Sequence, residues 1–113
     1  MTLKYFIKKE QCKGTCYHEF YKGKWDNETH WKESSVYLND DILYDAPDFV
    51  EAIKAVIPDY DPNGPTEMSV DEWLEIGKIA DQKDILAREI YRDANMWVQL
   101  ACAECGCITI LGV

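Results

Sequence analysis

The chain has 113 residues, 47% of them hydrophobic and including four tryptophans and seven tyrosines, which marks a folded domain and excludes a disordered chain. Its net charge is −9, from 21 acids against 12 bases; such a balance argues against nucleic acid as a direct ligand, because phosphate binding needs basic clusters. The apolar stretches are only a few residues long, so no membrane span is expected, and the N-terminal sequence lacks the apolar core and cleavage site of a signal peptide. A single domain over residues 1–113, reduced thiols and a cytoplasmic setting are therefore the expectation.

Leu3, Tyr5 and Ile7 alternate with Lys4, Phe6 and Lys8, the period of a half-buried strand. Gly14 centres a turn, and residues 16–21 read as the returning strand of a hairpin. Gly23 opens a second turn, and a third strand is expected within residues 30–38, clearest at 35–38. The first forty residues thus read as a β-meander. Asp45 and Pro47 mark a helix start, Phe49, Ile53 and Val56 recur at helical spacing, and Pro58 ends the run. Residues 59–65 read as a loop. Ser69 and Glu72 form a capping box for a second helix carrying Trp73, Ile76 and Ala80 on one face. A third helix is expected from about residue 85 to 104, with Leu86, Ile90, Ala94, Trp97 and Ala101 as its stripe and Gly106 as its left-handed cap. Residues 108–111 read as a short final strand that pairs with the N-terminal ones. The fold class is α+β, a small antiparallel sheet packed on about three helices.

Charge is unevenly spread. Residues 1–32 carry a net of +3 and residues 33–113 a net of −12. Eleven carboxylates and one lysine, Lys54, lie between Asn39 and Glu75. Asp45, Asp48, Asp71 and Glu72 belong at helix starts, where the dipole favours carboxylates. Asp40, Asp41, Asp59, Asp61 and Glu67 have no such duty and call for a cationic partner. Tyr44 and Tyr60 lie beside them, within a wider set of aromatics (Tyr17, Tyr21, Trp25, Trp31, Tyr37) too numerous for a small core. Aromatic anchors beside single-sign charge suit an interface with a basic protein.

Two metal readings are the alternative. Asp59, Asp61, Asn63 and Gly64 match the first half of a calcium loop, but Val70 stands where its bidentate glutamate belongs. Cys12, Cys16, Cys102, Cys105 and Cys107 would supply zinc ligands if the chain ends met, with His18 or His30 able to add one, although their spacing is not that of the common zinc modules. Reduced cysteines packed as small hydrophobes are the competing account. Cys16 and His18 lie two apart on one strand face, yet nothing in the sequence orients the imidazole or builds an oxyanion hole, so no catalytic residue, enzyme activity or cofactor is expected.

The segment Tyr60-Asp-Pro-Asn-Gly64-Pro-Thr66-Glu-Met-Ser69-Val-Asp-Glu72-Trp73 resembles a loop-to-helix segment of small immunity proteins from bacterial polymorphic toxin systems. That resemblance implies a compact acidic cytoplasmic protein that binds and blocks a toxin domain. Together these readings give a non-catalytic acidic binding protein, with Asp40, Asp41, Tyr44, Asp59, Tyr60, Asp61 and Glu67 as its contact residues.

Overall fold

The computed structural model describes residues 3–112. Five strands form one antiparallel sheet: β1 (Phe6–Ile7), β2 (Tyr17–Lys22), β3 (Val36–Asn39), β4 (Pro65–Met68) and β5 (Ile108–Leu111), in the order β1-β3-β2-β5-β4. Four helices accompany it: α1 (Asp40–Tyr44), α2 (Pro47–Val56), α3 (Val70–Ala80) and α4 (Ile85–Cys105). The α+β class therefore holds, and the last strand pairs with β2 as expected.

Several helix limits follow from local chemistry. Ser69 Oγ accepts from Glu72 N at 3.1 Å while Glu72 Oε1 accepts from Ser69 N at 2.9 Å, the reciprocal capping box. Asp84 caps α4 by accepting from Ala87 N, and Gly106, at φ +86°, closes it. At 21 residues, α4 is about 31 Å long by its rise per residue, enough to run the length of the molecule.

The N-terminal strands depart from a meander. β1 pairs with β3, not with β2. The expected long first strand is reduced to two paired residues because a side chain has taken its donors. Asp93, on α4, accepts the backbone N–H groups of Lys4, Tyr5 and Phe6 at 2.7, 2.8 and 2.9 Å. A 3₁₀ turn (Lys9–Gln11) follows, and the chain reaches β2 by crossing the sheet rather than by a tight hairpin. Lys13 N donates to the Tyr17 hydroxyl along this route. Two further elements were not expected. α1 has five residues, too few to show a helical period, and β4 falls within the stretch read as loop and cap.

The sheet has two dissimilar faces. Phe6, His18, Phe20, Val36, Leu38, Thr66, Met68, Ile108 and Ile110 point toward the helices, as the alternation and register require. There they meet Phe49, Ile53, Trp73, Ile76, Ile90 and Trp97 in the main core. Tyr17, Glu19, Tyr21, Tyr37, Thr109 and Leu111 occupy the other face and are also buried. The connection between β2 and β3 covers them: Trp31 stacks on Tyr37 at 5.3 Å and meets Tyr17 edge-on at 6.3 Å. So the aromatics in excess of one core are housed in a second layer.

Within the helical layer, Trp73 and Tyr91 stack at 4.3 Å, and the Tyr91 hydroxyl donates to Trp73 O. Gly77 makes room for this ring, since a Cβ there would lie 2.3 Å from Tyr91 Cζ. Gly77→Ala gains about 1 kcal/mol of helix propensity but forces apart a stacked, hydrogen-bonded ring. We expect a net loss of about 1–3 kcal/mol in urea unfolding, as for overpacked cores; unchanged stability contradicts the close packing. Asp93→Ala strands three donors and should lose roughly 1–3 kcal/mol, with fast hydrogen exchange at Lys4, Tyr5 and Phe6 while the β2 amides stay protected.

Candidate functional site

The acidic segment folds into the α1–α2 corner. Asn39 Oδ1 caps α1 by accepting from Asp41 N at 2.7 Å, which leaves Asp40 and Asp41 in the first turn and Tyr44 in the last. Ala46 is buried and Pro47 opens α2, so the chain bends between the two helices and carries Asp45 and Asp48 on the bend. A groove of about 400 Å³ lies in this corner, lined by Asp40, Leu43, Tyr44, Pro47, Val50, Glu51, Lys54 and Pro62. Its floor is aliphatic and its rim carries the carboxylates of Asp40 and Glu51 against one ammonium, Lys54. Tyr44 is 84% exposed, the most exposed of the large apolar side chains named among the described residues.

The expected contact residues are only partly gathered here. Asp40, Asp41 and Tyr44 share α1, and Asp61 adjoins Pro62 of the groove lining. Asp59 is exposed at the exit of α2. Tyr60 does not belong to the surface: it is 5% exposed and packs in the main core, so it cannot be an anchor for a partner. The loop turns it inward because Pro58 stops α2 and the next segment must return to the sheet as β4. Burial raises the Tyr60 phenol to about 12, with Asp61 and Asp40 adding to the rise. Glu67 is also set apart. It alternates with the inward residues Thr66 and Met68, so it points to the other sheet face, beside Cys107 and a shallow cleft with Lys24 and Trp25.

His18 contributes a residue that sequence reasoning did not place at this site. It lies on the inward register of β2, 1% exposed, and its Nε2 donates to Asp40 Oδ1 at 2.8 Å. Its Nδ1 is buried without a partner. The imidazole therefore fixes one carboxylate of the groove rim from beneath. The inward strand position was readable; the pairing with a carboxylate 22 residues away was not. Cys16, by contrast, is exposed outside the strand, so the Cys16–His18 face expected from a strand period does not form.

Neither metal arrangement is assembled. Among the described residues no group of three or more histidines, cysteines or acids stands ready to hold an ion. Cys16 immediately precedes β2 and Cys107 bonds Gly23 immediately after it, so a six-residue strand, about 17–20 Å long, separates the two ends of the presumed zinc set. All five thiols are free. Burial raises Cys12, Cys102 and Cys107, with neighbouring acids adding to the rise for Cys12 and Cys107, which disfavours the thiolate a metal needs. In the calcium-like loop, Asp61 Oδ1 accepts from Asn63 N at 2.9 Å and Gly64 N donates to Asp61 O, an ordinary turn. β4 then carries the chain away instead of bringing a glutamate back.

Tyr60 supplies a check on its own placement. A phenol raised to about 12 is favoured in its neutral form when folded, whereas the unfolded chain ionises near the ordinary value of 10. Its contribution is present below pH 10 and lost as pH rises toward 12. We expect urea stability to fall from about pH 8.5 upward, first as the thiols of the unfolded chain ionise and then as its phenols do. Tyr60→Phe should remove about 2–3 kcal/mol of the phenol part; Tyr37 and Tyr91, also raised mainly by burial, account for further parts. Identical alkaline profiles for Tyr60→Phe and the parent chain contradict a buried phenol. Comparison with known proteins adds no relative to this site: no family model, curated protein or solved structure matches the chain.

Proposed function

We propose that this chain is a non-catalytic binding protein of the cytoplasm, an immunity-type inhibitor that occludes a basic toxin domain through the α1–α2 corner. The observation that carries the reading is Tyr44, 84% exposed beside an apolar groove rimmed by carboxylates. An exposed aromatic ring beside an aliphatic floor is the usual anchor of an interface. Asp40, Asp41 and Asp45 flank it along the chain and Asp61 adjoins the groove lining, an excess of carboxylates over the single Lys54. That excess steers a lysine- or arginine-rich face toward the groove and raises its association rate, to ~10⁸ M⁻¹s⁻¹ or more at low salt. Three other acids of the segment have duties of their own: Glu51 pairs with Lys83, Glu75 pairs with Lys78, and Glu72 closes the capping box.

The test is co-purification with the products of adjacent reading frames, followed by association kinetics with the partner recovered. The on-rate should fall about tenfold or more between ~20 and ~200 mM salt. Asp41, Tyr44 and Asp45 side chains make no internal hydrogen bond among the described residues, so they can be changed without disturbing the fold. Tyr44→Ala should weaken binding by roughly 30-fold or more, the loss of a hot spot, and Asp41→Asn with Asp45→Asn should act mainly on the on-rate. A flat salt response, or binding indifferent to all three changes, sinks the proposal.

A further inference from the structure

The second sheet face holds a pocket of about 290 Å³, lined by Thr15, Tyr17, Glu19, His30, Trp31, Leu111 and Gly112. Thr15 and His30 are exposed at its mouth, and Tyr17 and Leu111 are buried within it. Glu19, at the centre of β2, is 4% exposed. Its Oε2 accepts from Lys32 N at 3.1 Å and Ser35 Oγ at 2.6 Å, and its Oε1 accepts from Trp31 N at 2.7 Å. Three donors occupy three of the roughly four acceptor positions of a carboxylate and leave one on Oε1.

No cation neutralises this group. Among the described residues Glu19 makes no ion pair, and the Lys32 ammonium lies 4.9 Å over the Tyr21 ring. The charge is felt by its neighbours: Tyr37 is raised by burial and then by Glu19, and so is Cys12. Removing a charge from water is compensated by opposite charge or by hydrogen bonds; here hydrogen bonds alone do it, so the carboxylate keeps its negative charge for an incoming cation. The wall of the pocket is unusual. Trp31 has φ +60°, a left-handed conformation that bulky residues rarely adopt and that clusters at ligand sites. That conformation is what points the Trp31 N–H at Glu19 and sets the indole against Tyr17 and Tyr37.

We propose that this pocket binds one small organic cation, an alkylammonium or guanidinium group, whose charge is met by Glu19 and whose carbons lie against Tyr17 and Trp31. Aromatic walls around an anionic floor attract such groups through the ring quadrupole as well as the carboxylate. The volume admits a free cation of a few heavy atoms or the tip of one lysine or arginine side chain, and a neutral isostere gains neither attraction. The pocket opens on the sheet face away from α1 and α2, so its occupancy does not depend on the acidic corner having a partner.

The test is titration of the whole chain with methylguanidinium, propylammonium and, as the neutral control, 1-propanol, at constant ionic strength, following the Trp31, Lys32 and Ser35 backbone amides by NMR. The cations should give saturable shifts at these amides, and propanol none. Glu19→Gln should weaken the response at least tenfold. If that variant does not fold, Tyr17→Leu, which keeps the buried position apolar, should weaken it severalfold. A blocked Gly-Arg-Gly peptide distinguishes the sources: tighter binding than methylguanidinium assigns the pocket to a protein side chain, weaker binding to a free cation. Shifts that do not saturate, an equal response to propanol, or variants that fold and bind as the parent overturn the proposal.

Discussion

One buried carboxylate decides how the far side of this sheet is built. Glu19 sits at the middle of the central strand, where a hydrophobic residue would have invited a helix or a second sheet to cover it. Taking an ionised carboxylate out of water costs several kcal/mol. Three hydrogen bonds, each worth about 1.5–3 kcal/mol when one partner is charged, offset that cost, and all three come from the connection leading into β3. The connection is therefore held by polar groups at its base and by aromatic contacts above. Asp26 tightens its outer turn, accepting from Glu28 N, Thr29 N and the Thr29 hydroxyl, which hold its carboxyl at about 2. The Trp25 indole closes that turn by donating to Thr29 O at 2.7 Å.

The same device recurs at two other joints. Asp93 gathers three amides of the chain's beginning onto α4, and Asp40 receives the imidazole of His18 at the end of β3. Each brings an acidic side chain from one segment to donors far away in sequence. This explains why short strands suffice. β1 contributes two residues to the ladder, yet its edge is closed by Asp93 and by the Tyr5 hydroxyl bonded to Glu89. A sheet with few ladder bonds per strand is thus made rigid by side-chain acceptors that span its layers.

The elements legible in the sequence are those specified by their own residues. Ser69 and Glu72 cap each other, Pro47 and Pro58 bracket α2, Gly106 supplies the left-handed cap, and residues 108–111 alternate between two buried faces. What stayed hidden depends on partners. Lys4, Tyr5 and Phe6 have a strand's pattern, but Asp93, some 90 residues on, takes their donors. Thr66 and Met68 show only two inward positions, too few to separate a strand from a loop. Tyr60 lies in an acidic, turn-rich stretch that looks like surface, and only the return of the chain into β4 buries it. Charge density drew attention to the whole stretch from Asn39 to Glu75, but it could not show that Glu67 points to the other face of the sheet.

The groove and the pocket, though on different faces, are built against one piece of backbone. Gly112 N donates to Gly64 O at 3.0 Å, and a Cβ on Gly112 would fall 2.4 Å from Pro62 O and 2.5 Å from Gly64 N. Glycine is required there because main chain meets main chain with no room between. Pro62 then faces the groove and Gly112 the pocket. Asp61 fixes the turn from within through Asn63 N, and the β4–β5 ladder fixes it from outside. A surface supported in this way loses little conformational freedom when something binds to it, so a larger share of the contact energy appears as affinity. The turn at 61–64, locked against the last strand, thus ties the groove-lining Pro62 and the pocket-lining Gly112 to one piece of backbone.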